Sequence, residues 1–127
     1  MKVVHLYSDV EGRSCFREIE VPVEADAAGG SFQLPGVLGV ELRTYRTDAH
    51  THFRPTARRK LVIALSGATE INCGHNDVRV FGPGDLLLVD DRTGRGHESR
   101  EITGPRQQLW IYLDERLRIN DAGIGAK

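Results

Sequence analysis

The chain has 127 residues, of which 17 are basic and 18 acidic, for a net charge of −1. A chain of that length is expected to form one domain that buries roughly two thirds of its unfolded surface. Its balanced charge excludes the basic excess that nucleic acid or an anionic membrane surface would require. Aromatic residues make up 6% of the chain and glycine occurs 14 times. Such a composition suits short strands and tight turns, because glycine takes positive φ at little cost. Met1 to Tyr7 is too short an apolar stretch for a signal peptide, and nothing approaches a membrane span, so a cytoplasmic location is expected. Cys15 and Cys73 are single and far apart, which points to reduced thiols rather than a disulfide.

In chain order, Met1 to Ser8 alternates as a strand does, and Asp9 to Ser14 reads as a turn. Cys15 to Glu24 alternates again, but Pro22 cannot donate to a ladder, so this strand belongs at an edge. Small residues from Ala25 to Ser31 form a loop, and Leu34-Pro35-Gly36 a turn. The next strand places Val40, Leu42 and Thr44 on one face and Glu41, Arg43 and Tyr45 on the other. A polar stretch with His50, His52 and Pro55 follows. Arg59 to Leu65 and then Leu86 to Asp91 are apolar on both faces, as in strands covered on both sides by a second sheet or another subunit. Between them Gly67 breaks the first strand, and a hairpin turns across Cys73-Gly74-His75-Asn76. Arg92 to His97 is a glycine-rich loop. His97 to Thr103 leads through a Gly104-Pro105 turn to a last strand, Gln107 to Leu113. One helical turn is expected after Leu113, then a frayed end. Roughly nine short strands with almost no helix predict an all-β sandwich or small barrel.

These residues also carry a resemblance. The segment from Gly67 to His97, with its Phe81-Gly82-Pro83-Gly84-Asp85 turn, apolar strand and glycine-flanked histidine, is similar to the second conserved motif of the cupins. His50-Thr51-His52, followed by a strand ending at Gly67, resembles the first. The likeness runs from Gly39 to Leu113. It implies a cupin jelly roll over residues 1–127, with its core at about 37–113, strands in 1–24 at the edge or a dimer interface, and a tail at 114–127. It also implies a pocket at the barrel mouth and a homodimer. Cupins commonly hold a divalent metal on two histidines and a glutamate of the first motif and one histidine of the second, which here implies His50, His52 and His97. Counting back from Gly67, the glutamate position falls on Lys60. Asp90 stands where proline is usual, and the loop to His97 is longer than common. A subset of small cupins has the run Trp-His-Pro-Ala-Pro-Arg-Arg-Gln, which Phe53 to Lys60 matches with Arg54 at the histidine position.

Two readings of the candidate residues follow. In one, His50, His52, His97 and Asp90 hold iron, manganese, nickel or zinc, since imidazole and carboxylate suit those ions. Asp91 could replace Asp90 as the carboxylate, but it is read more readily as capping the Arg92 to Gly96 turn. Lys60 shares the face of Val62, Ala64 and Ser66, where small side chains leave room for a ligand, and Arg43, Tyr45 and Trp110 line the same pocket. The protein is then an enzyme, an oxygenase, isomerase, dehydratase or decarboxylase acting on a small polar or anionic molecule, with Lys60 and His97 catalytic. In the other reading the cupin is metal-free and binds a small anion on Lys60 and the arginines without turnover. A third option is metal-free acid–base catalysis by Lys60 and His97. No nucleic-acid or membrane partner is expected.

Overall fold

The computed structural model describes residues 1–125, which are all-β. Alternation of apolar and polar residues produces twelve strands among the described residues. They are β1 (Lys2–Ser8), β2 (Ser14–Glu20), β3 (Glu24–Asp26), β4 (Gly29–Ser31), β5 (Val37–Thr44), β6 (His50–Arg54), β7 (Lys60–Asn72), β8 (Val78–Phe81), β9 (Leu86–Asp90), β10 (His97–Leu113), β11 (Arg118–Asn120) and β12 (Gly123–Gly125). Among the described residues no helix is long and apolar enough to cross a membrane.

Eight strands form one sheet in the order β2-β1-β9-β7-β10-β5, with β6 joined to β10 and β8 to β7. Its pairs are antiparallel apart from β1 and β9. The long strands β7 and β10 each serve two sets of neighbours. The first part of β7 pairs with β9 and its last part with β8, while β10 begins on β6 and ends on β5. Between those parts the β7–β10 ladder shifts register, from Thr103 opposite Ala68 to Gln107 opposite Ser66. Gly67 lies at that shift with φ of +72°, its Cα against the carbonyls of Thr103 and Pro105. The strand expected to end at Gly67 therefore bends there and continues, since glycine alone takes this backbone angle without strain.

Two apolar clusters fill the faces of the sheet. Val3, Ile19, Leu61, Leu88 and Leu113 pack with Leu117 and Ile124 on one side. Leu6, Ile71, Phe81, Leu87 and Val89 pack on the other. Both faces of β7 and β9 are thus covered within one chain. The end of the chain departs from expectation: in place of a helical turn and a frayed tail, β11 pairs with β12, and Ile124 is buried in the core. Covering Leu61 and Leu88 gives these residues apolar contact that outweighs the entropy of ordering them. Ala126 and Lys127 lie outside the described residues. The loop expected at Ala25 to Ser31 pairs as β3 with β4, and the polar stretch at His50 is strand β6.

Asp90, expected among the metal ligands, belongs to this apolar face instead. Val89 pairs with Lys60, so the next step outward sets Asp90 beside Arg59. Arg59 Nε and Nη2 donate to the two Asp90 oxygens at 2.9 and 3.2 Å, and Nη1 donates to the carbonyls of Asp114 and Leu117 at 2.9 and 3.1 Å. His5 Nε2 lies 2.9 Å from the same carboxylate, and Arg17 Nε donates to His5 Nδ1. Burial pushes the Asp90 carboxyl up, but hydrogen bonds from His5 and Arg59 and the charge of Arg59 outweigh it and hold the pKa below its ordinary 3.8. Its contribution to stability is in place above the ordinary carboxylate pKa and is lost as pH falls through the lowered one.

Arg59 and Asp90 are 5% and 9% exposed, and without Arg59 the carboxylate keeps only His5 and the partly exposed Arg92, whose Nε donates to Oδ1 at 3.0 Å, while the chain end loses its tie. Arg59→Ala is expected to cost about 3–5 kcal/mol in urea unfolding at neutral pH. A loss no larger than a surface substitution causes would remove Arg59 as the tie between sheet and tail.

Candidate functional site

Where the two parts of the bent sheet face each other they enclose a cavity of about 370 Å3. Lys60 and Val62 reach it from β7, opposite Val89 and Leu87 of β9. Gln108, Trp110 and Tyr112 come from β10, and Arg43 from β5, with Tyr45 just beyond. From the other part of the sheet come Thr51 and Arg54 of β6 and His97 and Ser99 of β10. Arg58 lies on the approach to β7.

The cavity is cationic. Arg43, Arg54, Arg58 and Lys60 line it, and no carboxylate does. Aromatic rings support these groups: Lys60 Nζ lies 3.6 Å from the Trp110 ring centre, and the guanidinium carbons of Arg43 and Arg58 lie 4.6 and 3.8 Å from the centres of Trp110 and Tyr112. The rings are themselves fixed. Trp110 Nε1 donates to Gln108 Oε1 at 2.8 Å, and Tyr112 Oη donates to Glu41 at 3.1 Å. Arg43 pairs with Glu41 at 3.0 Å. Among the described residues, Arg54, Arg58 and Lys60 have no carboxylate within 4.0 Å. Burial, with the nearby charges of Arg43 and Arg54, lowers the Lys60 pKa from 10.5 to about 8.

His97 stands at the start of β10, facing Arg54 across the β6–β10 ladder. The loop before it carries Gly94 and Gly96 with φ of +75° and +79°. A side chain at Gly96 would collide with the backbone of Arg54 and Pro55, so glycine here sets how closely His97 approaches β6. Beneath the imidazole lies Asp91, fully buried. Its Oδ2 sits 2.6 Å from His97 Nδ1 and accepts from Ser14 Oγ at 2.7 Å, and its Oδ1 has no hydrogen-bond partner. An ionised carboxylate only accepts, so Nδ1 carries the proton and Nε2 is left as the free ring nitrogen. Asp91 was expected to cap the turn; it supports the histidine instead.

The structure gathers Arg43, Tyr45, Lys60, Trp110 and His97 around one cavity. It does not assemble His50, His52, His97 and Asp90. Thr51 and Ser99 are paired and face the cavity, so strand alternation turns His50, His52 and Glu98 outward. There they form their own group: His50 Nε2 is 3.0 Å and His52 Nδ1 4.0 Å from Glu98 Oε2. All three ligand atoms lie within 4.8 Å of one another. Two imidazoles and a carboxylate at that spacing can hold a divalent metal. A metal inside the cavity does not fit the residues present, because Lys60 and Arg54 would repel it and, among the described residues, no carboxylate lines the cavity to join His97 as a ligand.

Gln108 and Glu98 were not among the site residues expected, Arg54 and Arg58 entered only among the arginines of an anion pocket, and Asp91 only as an alternative metal carboxylate or a turn cap. Two signals pointed to them: the match that put Arg54 at a histidine position, and the parity that returns Asp91 to the side of Val89. No protein-family model matches the chain, and no curated protein does either.

Two outcomes follow from this geometry. Between about pH 8 and 10.5 the unfolded chain holds a proton that folded Lys60 has released, so the ligand-free protein should gain stability as pH rises across that window. Lys60→Met should abolish that gain in thermal melts; an unchanged pH profile would place the proton elsewhere. Any transition metal that the protein carries should be lost, by elemental analysis of untagged protein, on His50→Ala and retained on His97→Ala.

Proposed function

We propose that this protein is a cupin-type jelly roll whose cavity binds a small organic anion without a metal. The observation that carries the reading is that Arg54, Arg58 and Lys60 surround a cavity of about 370 Å3 without a carboxylate partner. Charge gathered in a partly desolvated space is unfavourable until an anion enters, and the rings hold the cations without consuming their hydrogen-bond donors. The volume lies at the small end of the range for ligand sites, about 300–1,000 Å3, which suits a metabolite rather than a polymer.

The test is calorimetric titration of the whole chain with phosphate, pyruvate and 2-oxoglutarate. At least one should bind, and Lys60→Met or Arg54→Met should weaken it about 10- to 100-fold, the 1.5–3 kcal/mol of a charge-assisted hydrogen bond. Affinity should also fall as pH rises past the Lys60 pKa of about 8. Absence of binding at millimolar anion would overturn the reading.

The metal-dependent enzyme implied by the same resemblance draws support from His50, His52 and Glu98. It is the weaker reading, because that group faces away from the cavity. We also propose a homodimer through β5. This strand ends the sheet, so it can pair antiparallel with its own copy, and it leaves Leu38, Val40 and Leu42 63%, 61% and 76% exposed. A monomeric mass in light scattering would overturn it.

A further inference from the structure

We infer that His97 is a general base that removes a carbon-bound proton from a 2-oxo acid held in the cavity, with Asp91 as the residue that positions it. The inference rests on the anion-binding reading and adds a reaction to it.

The first ground is the environment of Asp91. A fully buried carboxylate with one oxygen unpartnered is costly to maintain. Its two partners are the Ser14 hydroxyl and the imidazole of His97. Asp91 Oδ2, 2.6 Å from Nδ1, fixes the ring and occupies that nitrogen, so Nε2 is the one left to take a proton. The other histidines with described partners are not placed for this task. His5 has both ring nitrogens engaged, by Arg17 and Asp90, and His50 and His52 are turned outward onto Glu98.

The second ground is what faces His97. Arg54 is its register partner, and Lys60 lines the same cavity. A carboxylate bound by Arg54 would bring the atoms beyond it to the imidazole. Lys60 could then meet a developing oxyanion, in surroundings that include Val62, Ile71, Leu87 and Val89. A hydroxyl or thiol nucleophile activated by His97 does not suit the site. Among the described residues no hydroxyl or thiol is hydrogen-bonded to His97 Nε2, and Thr56 Oγ1 donates to the Arg58 carbonyl.

The step balances without an oxidant or a second reactant. The bond from C3 to hydrogen breaks and an N–H bond forms at His97 Nε2. The C3 electron pair forms a C2=C3 bond, and the carbonyl π pair moves onto oxygen, giving an enolate beside Lys60. Return of a proton from the imidazolium to C3 restores the acid. In deuterium oxide the imidazolium N–H exchanges with solvent, and a cycle in which that exchange precedes the return replaces a C3 proton by a deuteron.

The test uses the whole chain with pyruvate, 2-oxobutanoate and 2-oxoglutarate, binding first by calorimetry, then C3 exchange in deuterium oxide by proton NMR. The expected result is exchange of a bound probe about a hundredfold or more above the buffer rate, a typical contribution of a positioned base. His97→Gln should remove that excess while the probe still binds. Binding without enhanced exchange, or exchange unchanged in His97→Gln, overturns this inference and leaves anion binding standing. Failure of all three probes to bind overturns this inference, and the anion-binding reading falls with it when phosphate fails to bind as well. Because Asp91→Asn could unfold so buried a site, its role is read in the intact protein by nitrogen NMR at alkaline pH. A proton on His97 Nδ1 with Nε2 bare supports Asp91 as the positioning residue; the opposite tautomer overturns it.

Discussion

Arg59 and Lys60 are neighbours in sequence, as are Asp90 and Asp91, yet each pair is divided between the two faces of one sheet. The cause is the β7–β9 ladder, which sets Lys60 opposite Val89 and so commits every residue on both strands to one side or the other. On the outer side Arg59 and Asp90 close a buried ion pair that also takes hold of the chain end through the carbonyls of Asp114 and Leu117. On the inner side Lys60 enters the cavity, and Asp91 supports the imidazole of His97. One residue of slippage would exchange the buried ion pair for the pair on the cavity side.

The two sides use charge differently. Arg59 and Asp90 satisfy one another, with His5, Arg92 and backbone carbonyls taking up the remaining bonds, so this network holds structure together. Inside the cavity the cations rest on aromatic faces, which attract them by the ring quadrupole yet leave their donors unused. Lys60 shows the consequence: burial and two guanidinium groups lower its pKa to about 8. An anion would reverse that balance. Trp110 and Tyr112 are therefore more than cavity wall, because they help to keep Arg43, Arg58 and Lys60 together with Glu41 as the nearby carboxylate.

Much of this was legible in residue order. The period of two, the glycines and the two-faced apolar runs pointed to an all-β fold, and the same alternation put Lys60 with Val62 and Arg43 with Tyr45. The outward turn of His50 and His52 was not legible, because a polar stretch with a proline reads as loop. Its strand character comes from pairing with β10, more than forty positions away. Asp90 and Asp91 were ambiguous for a related reason: a strand apolar on both faces has no solvent side by which to judge its parity.

What the sequence determined alone was local: which stretches extend, where glycine permits a bend or a tight loop, and which side chains share a face of one strand. Register, and with it the face that looks into the cavity, was decided only by tertiary structure. Strand pairing joins residues far apart in the chain, and a shift of one position leaves the local pattern intact while moving every side chain to the opposite face.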